Sequence, residues 1–278
     1  MRFLSHMDPT QNLEKLTMAV VEVARQAGAL IKQERLSLKA SDIKNKNPHD
    51  YVTKVDKLSE AFLIDALRGL LPSAGFIIEE MGATWEGEPY AWVVDPLDGT
   101  TNFIHDMGSY CVCIALRDES SLLLGVVFDP VRDECFYCWK GAGASYNNGV
   151  PIRVSKTESF QDALVITELP YNSQGYHDCA MNLLESFMGN VAAIRMTGSA
   201  ALAICYVACG RVDAWMEAYL GRWDFSAAAL ILMEAGGRMT DFLGREDFLD
   251  GHHVVATNAL LHEGVLDILS KCLPEGIK

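Results

Sequence analysis

Residues 92–103 read WVVDPLDGTTNF, a short apolar run that ends in two aspartates three residues apart and then breaks into glycine and threonine. No other stretch constrains the fold so tightly. The apolar start predicts a buried strand, and Asp and Gly, poor strand formers, predict that it stops near Val94. Two carboxylates are thereby placed at a strand end, where they repel each other unless a cation lies between them. Pro96 stiffens the link between them. Gly99-Thr100-Thr101 then exposes successive backbone N–H groups at an expected helix start, which suits a phosphate oxygen.

The flanking sequence supplies layers for such a strand to lie between. Leu13, Leu16, Val20, Ala24, Ala27 and Ile31 recur at three and four, predicting an amphipathic helix to about Gln33 that Asp8-Pro9-Thr10 opens. The polar segment KASDIKNKNPHDYVTKVD follows. A second helix from Asp56 carries Leu58, Phe62 and Ala66 on one face and is stopped by Pro72 and Gly75. Phe76–Ile78 reads as a short strand. From Tyr110 to Val154 the runs CVCIAL, LLLGVVF, CFYCW and VPIRV, separated by DPVRD, GAG and NNG, predict a β meander. ALVITEL, AAIRM and VDAWMEA read as further strands. Helices are predicted around Ala180–Met188, over SAALAICYVACG to Gly210, over WDFSAAALILMEAGG to Gly236-Gly237, and over ALLHEGVLDILSKC. The pattern is that of an α/β chain with alternating helix and sheet layers and largely antiparallel sheets. Without a linker or repeat, residues 1–278 are expected to form one unit of two closely packed halves.

Half of the 278 residues are hydrophobic, enough for a sizeable core. A net charge of −14 argues against nucleic-acid or anionic-membrane binding by a general basic surface, although metal ions can reverse the local sign for a phosphate. No apolar run approaches the roughly 20 residues that span a bilayer, and the N-terminus lacks the order of a signal peptide. MRFLSHM reads equally as a native start and as an appended stretch before Met7. The eight cysteines lie in apolar segments and are expected to be reduced, buried and cytoplasmic. The C-x-x-C at Cys135 and Cys138 has no second pair to complete a zinc site and reads as structural.

Carboxylates stand at element ends in four places: Asp50 and Asp56, Glu79-Glu80, Asp95 and Asp98, and Asp224. Singly, Asp56 and Asp224 read as helix N-caps, Glu79-Glu80 as a solvated loop and Asp95-Pro96 as a turn. Together, hard oxygen donors without a nearby His or Cys suit Mg²⁺, with the Leu97 carbonyl a further neutral oxygen. The Thr100 hydroxyl is placed to orient a water and help remove its proton. Lewis acid, activated water and anion cradle are the parts of metal-assisted phosphoester hydrolysis.

WVVDPLDGTTNF resembles the W-x-x-D-P-x-D-G-T-x-N-F signature of the inositol monophosphatase family. The family's second signature, W-D-x-x-A-A followed by E-A-G-G, is matched by Trp223-Asp224, Ala227-Ala228 and Glu234-Ala235-Gly236-Gly237. Its D-x-V-T-x-x-D is matched by Asp50, Val52, Thr53 and Asp56, and its paired glutamates by Glu79-Glu80, all in the family's order. The resemblance implies an αβαβα layered sandwich of the fructose bisphosphatase type, a homodimer, and hydrolysis that needs two or three Mg²⁺ ions per site and is inhibited by Li⁺. It implies that Glu79, Asp95 and the Leu97 carbonyl hold one metal, that Asp95, Asp98 and Asp224 hold a second, and that Glu79 and Thr100, the latter bonded to Asp56, position the water. Asp98, Gly99, Thr100, Thr101, Gly198, Ser199, Ala200, Glu217 and Asp224 are the implied substrate contacts, with Glu217 accepting hydrogen bonds from ring hydroxyls.

The substrate so implied is a small phosphorylated polyol, inositol 1-phosphate first. Histidinol phosphate, nucleotide 3′-phosphates and fructose 1,6-bisphosphate are alternatives within the superfamily, a second phosphate requiring cations for which Arg195, Arg211 and Arg222 are candidates. The AYLGR segment before Trp223 and Ser226 in the second signature depart from the expected pattern. A different class is a regulatory protein that keeps the metal shell as scaffold, since some bacterial relatives act in RNA transcription complexes. No G-x-S-x-G elbow or P-loop is present, and no histidine is assigned a catalytic role.

Overall fold

A computed structural model describes residues 12–47, 50–168 and 176–273, without the side chains of 46, 47, 50 and 250. The expected opening at Asp8-Pro9-Thr10 lies outside these residues. The first half of the chain contributes α1 (Leu13–Arg35), β1 (Ile43–Asn47), β2 (Asp50–Thr53), α2 (Lys54–Leu70), β3 (Ala74–Ile78), β4 (Gly82–Ala83), β5 (Tyr90–Asp98) and α3 (Thr100–Ile104). The meander follows as β6 (Cys111–Arg117), β7 (Leu122–Asp129), β8 (Glu134–Trp139), β9 (Ala144–Tyr146) and β10 (Val150–Pro151). The second half holds β11 (Leu164–Thr167), α4 (His177–Phe187), β12 (Ala193–Arg195), α5 (Ala200–Ala208), β13 (Ala214–Ala218), α6 (Arg222–Glu234), β14 (Arg238–Asp241), β15 (His253–Thr257) and α7 (His262–Cys272).

An eight-stranded sheet runs in the order β10-β9-β8-β7-β6-β5-β3-β4, and a five-stranded sheet in the order β12-β11-β13-β15-β14. Among the described residues only β3–β5, β11–β12 and β11–β13 pair in parallel. Strand alternation then builds three cores. Trp92 and Val94 of β5 pack with α1 and α2, whereas Ala91 and Val93 face the opposite way toward α5 and α6. Trp215 and Val254 of the smaller sheet close that middle layer from the other side, and Met216 and Val255 face out onto α4 and α7. The result is the αβαβα order. Fully covered sheets explain why strands such as LLLGVVF are apolar at every position.

Several local expectations are corrected. β5 does not stop near Val94 but continues to Asp98, because its ladder with β6 resumes at Asp98↔Cys111 after a break that follows Asp95↔Cys113. The break holds Pro96, which has no N–H to give the ladder. The polar segment before α2 forms the β1–β2 hairpin, and α2 begins at Lys54 with Thr53 as N-cap rather than at Asp56. Of VPIRV only Val150–Pro151 is strand, paired with β9. β14 and β15 have no counterpart among the predicted strands; β15 pairs with β13 from Ala218↔His253 to Ala214↔Thr257 and with β14 from Asp241↔Val254 to Arg238↔Thr257.

The C-x-x-C reading holds for a geometric reason. Three residues apart on β8, Cys135 packs in the outer core and Cys138 in the middle one, so the two thiols point to opposite faces and cannot share a metal. All eight cysteines are free. Among the described residues no helix is long and apolar enough to cross a membrane.

Candidate active site

Asp95 follows Ala91 and Val93 along one face of β5, which aims it into the middle layer beside α6. It is 2% exposed. The turn that follows is pinned on both sides: Leu97 N donates to Asp95 Oδ1 at 2.9 Å, and Ser59 of α2 donates to the Pro96 carbonyl at 2.9 Å. Gly99 then adopts φ +87°, and a Cβ there would lie 2.7 Å from the Ser109 carbonyl oxygen. Only glycine accommodates both the angle and the approach. α3 starts directly after it, with Thr100 and Thr101 half-buried in its first turn.

Capping geometry brings in the remaining carboxylates. Asp56 is the third residue of α2, not its cap, and its Oδ2 accepts from Thr53 N at 2.8 Å and Thr53 Oγ1 at 2.6 Å. Its other oxygen lies 3.1 Å from Thr100 Oγ1, which is also 3.1 Å from the Leu97 carbonyl. Asp224 is likewise the third residue of α6 and accepts from Gly221 N at 2.7 Å. Glu79 leaves β3 one residue after Ile78, which pairs with Val94 of β5, so it emerges next to Asp95. Asp98 accepts from Ser199 Oγ at 2.6 Å, Ala201 N at 3.1 Å and the Cys111 thiol at 3.5 Å.

The electrostatics tie these groups into one centre. Burial holds the Asp95 carboxyl well above the usual carboxylate range, and Glu79, Asp98 and Asp224 push it further. Burial raises Asp98 to about 6 against the bonds from Ser199, Ala201 and Cys111. Asp56 is also raised, by burial, with the Thr53 bonds acting the other way. Like charges gathered this way, with Asp95 and Asp98 buried and Glu79 and Asp224 half-buried, require protons or a cation. Oxygen-only donors from Glu79, Asp95, Asp98, Asp224 and the Leu97 carbonyl fit Mg²⁺. Cys111 and Cys113 lie within 4.8 Å of Asp98, but burial raises both thiols, Cys111 to about 11. The expectation of no nearby cysteine is thus corrected, and Cys111 stands as a hydrogen-bond donor to Asp98.

The predicted substrate contacts divide. Glu217, half-buried on β13, is pushed well above its ordinary range by burial, then by Glu168, Asp224 and Asp98, which puts it within reach of the centre. Gly198 (φ +67°) turns the chain into α5, but Ser199 and Ala200 are buried and the Ser199 hydroxyl is committed to Asp98. Arg211 holds Glu134 through two bonds of 2.7 and 2.6 Å, which takes it out of the candidate phosphate contacts. Arg195 is exposed on β12 and bonds its neighbour's carbonyl. Sequence reasoning missed Ser59, Asn102, Cys111 and Glu168. Asn102 lies inside the first motif and Glu168 is a lone acid at the end of an apolar run, a signal like that of Glu79.

Five alternating layers, with carboxylates gathered where β3 and β5 end and α2 and α6 begin, define a protein of the αβαβα phosphatase class. The model of the inositol monophosphatase family matches residues 12–273. The chain is 39% identical to the Nus factor SuhB of Pseudomonas aeruginosa over 96% of its own length and 100% of that protein. It is 35% identical to the inositol-1-monophosphatase of Mesorhizobium japonicum, over 93% and 97% of the two chains. The solved inositol monophosphatase of Anabaena superposes with a TM-score of 0.84 at 31% identity, over 96% of this chain and all of the other. The chain belongs to the inositol monophosphatase family, whose members are phosphatases of phosphorylated small molecules and are generally Mg²⁺-dependent.

Proposed function

We propose that this chain, residues 1–278 as one unit of two packed halves, hydrolyses inositol 1-phosphate to inositol and phosphate. The observation that carries the reading is Asp95, buried among Glu79, Asp98 and Asp224 beside a Thr100 hydroxyl that Asp56 holds. Glu79, Asp95 and the Leu97 carbonyl would hold one Mg²⁺, and Asp95, Asp98 and Asp224 a second. Bound there, the ions supply Lewis acidity, neutralise phosphate charge and stabilise the departing alkoxide.

The protein groups do the rest. Asp56 is fixed by the start of α2 and accepts the proton of Thr100 Oγ1, which leaves the hydroxyl's lone pairs to accept a proton from a water. Glu79 orients that water from the other side. The N–H groups of Gly99, Thr100 and Thr101 cradle the phosphate. Glu217 receives hydrogen bonds from ring hydroxyls of the polyol, and its closeness to Asp98 and Asp224 sets that ring against the centre. The active form is a cytoplasmic homodimer, and Li⁺ inhibits it.

Phosphate release from inositol 1-phosphate, histidinol phosphate, adenosine 3′,5′-bisphosphate and fructose 1,6-bisphosphate, with and without Mg²⁺, tests this. A Mg²⁺-dependent preference for inositol 1-phosphate is expected. Preference for another ester overturns the substrate and keeps the chemistry. The name Nus factor SuhB carried by a 39% identical relative favours a second reading, a regulatory binding protein. Absence of turnover on every ester by a folded, Mg²⁺-binding chain would select it.

A further inference from the structure

Glu168 stands one residue past β11 and belongs to none of the motifs that mark the site. Its backbone N–H donates to the Met216 carbonyl of β13 at 3.4 Å, beside Glu217. One carboxylate oxygen, Oε1, accepts three bonds: from Thr197 N at 2.6 Å, Thr197 Oγ1 at 3.0 Å and Gly198 N at 3.0 Å. The same turn is held from α3, which follows β5 of the other sheet. Asn102 Nδ2 donates to the Thr197 carbonyl at 2.8 Å and to the Ser109 carbonyl at 2.8 Å, and a Cβ on Gly198 would lie 3.0 Å from that nitrogen. The next residue, Ser199, caps α5 and donates its hydroxyl proton to Asp98 Oδ2, to which Ala201 N also donates.

We infer that Glu168 is a positioning residue for Asp98, acting through the Thr197–Gly198–Ser199 turn to fix which oxygen of that carboxylate faces the centre. Three donors converge on one carboxylate oxygen and clamp the turn; burial raises the Glu168 carboxyl, and the bonds from Thr197 and Gly198 act against that rise. The clamp couples the two sheets: Glu168 extends the five-stranded sheet, Asp98 ends a strand of the eight-stranded one, and the turn is their joint. Glu168 touches neither phosphate nor metal, and this inference rests on the metal-centre reading proposed above.

Mg²⁺ binding measured by titration calorimetry on the whole chain, together with kcat and KM, tests it. Glu168→Ala is expected to weaken Mg²⁺ binding by about tenfold, the usual effect of losing an outer support of a metal centre. Glu168→Gln, which keeps an acceptor oxygen, restores most of it, and kcat falls more than KM rises. Because Glu168 acts through Ser199, combining Glu168→Ala with Ser199→Ala loses less than the two single losses together. Unchanged Mg²⁺ binding in folded Glu168→Ala, or fully additive losses, overturns the inference. If Glu168→Ala does not fold, Glu168→Asp, whose shorter side chain withdraws the oxygen from all three donors, takes its place, and unchanged binding there has the same meaning. A wild-type chain that binds no Mg²⁺ overturns the proposed function as well, whereas wild-type binding with an indifferent Glu168 overturns only the clamp.

Discussion

Glu217 and Asp98 show how far single residues separate substrate reading from chemistry. Glu217 sits on a strand and does not bear on Thr100, so Glu217→Gln is expected to weaken turnover of inositol 1-phosphate while sparing a generic aryl phosphate. Equal loss on both would mean that Glu217 supports the site rather than reading the ring. Much of this was legible residue by residue. Glu79, Asp95, Asp98 and Asp224 are carboxylates at the ends of apolar segments, where burial and mutual repulsion demand a reason. The role of Ser199 was not legible. A small residue before a helix reads as an open site wall, and only the fold shows its hydroxyl turned to Asp98 at 2.6 Å. Ser59 escaped notice because it acts on a backbone group brought near by tertiary packing, and Glu168, although a lone acid ending an apolar run, because the turn it holds comes near only in the fold.

Elements place the site by how they start and stop. α3 begins where Gly99 takes φ +87°, and a Cβ there would lie 2.7 Å from the Ser109 carbonyl oxygen. Gly99→Ala is therefore expected to cost about 1–3 kcal/mol of stability, read by urea unfolding, and to lower phosphate release more than a surface substitution of α1 does. Wild-type stability and activity in that variant would show that the turn is not strained. Helix positions followed from the apolar period and the glycine stops rather than from the predicted N-caps, and the meander from its turn residues. β5 did not, because local propensity favoured a stop at Val94 whereas pairing with β6 carried the strand to Asp98. The β1–β2 hairpin was hidden for the same reason: its residues are polar, so no apolar alternation marks it.

The whole molecule joins its layers through buried polar contacts as well as apolar ones. His262 begins α7 fully buried between Thr240 of β14 and Thr257 of β15, at 2.9 and 3.0 Å. Thr240 gives its own proton to the Asp241 carbonyl, so Nε2 donates to Thr240 and Nδ1 accepts from Thr257, the neutral ring. Burial, with Arg238 nearby and Glu263 opposing, lowers His262 to about 4, against about 6.5 when unfolded. The unfolded chain therefore takes up this proton first, and the stability His262 contributes is present above pH ~6.5 and lost as pH falls toward ~4. The stability lost by wild type between pH 7 and 5 is expected to shrink in His262→Gln, and an unchanged loss would contradict the neutral buried ring. At this scale the layer order was legible, since apolar strands between amphipathic helices allow few other arrangements. If Asp95 is the shared carboxylate of a Mg²⁺-dependent centre, phosphate release from inositol 1-phosphate at saturating Mg²⁺ should fall by at least about 10²-fold in Asp95→Asn relative to wild type, with the fold intact. Turnover equal to wild type would contradict it.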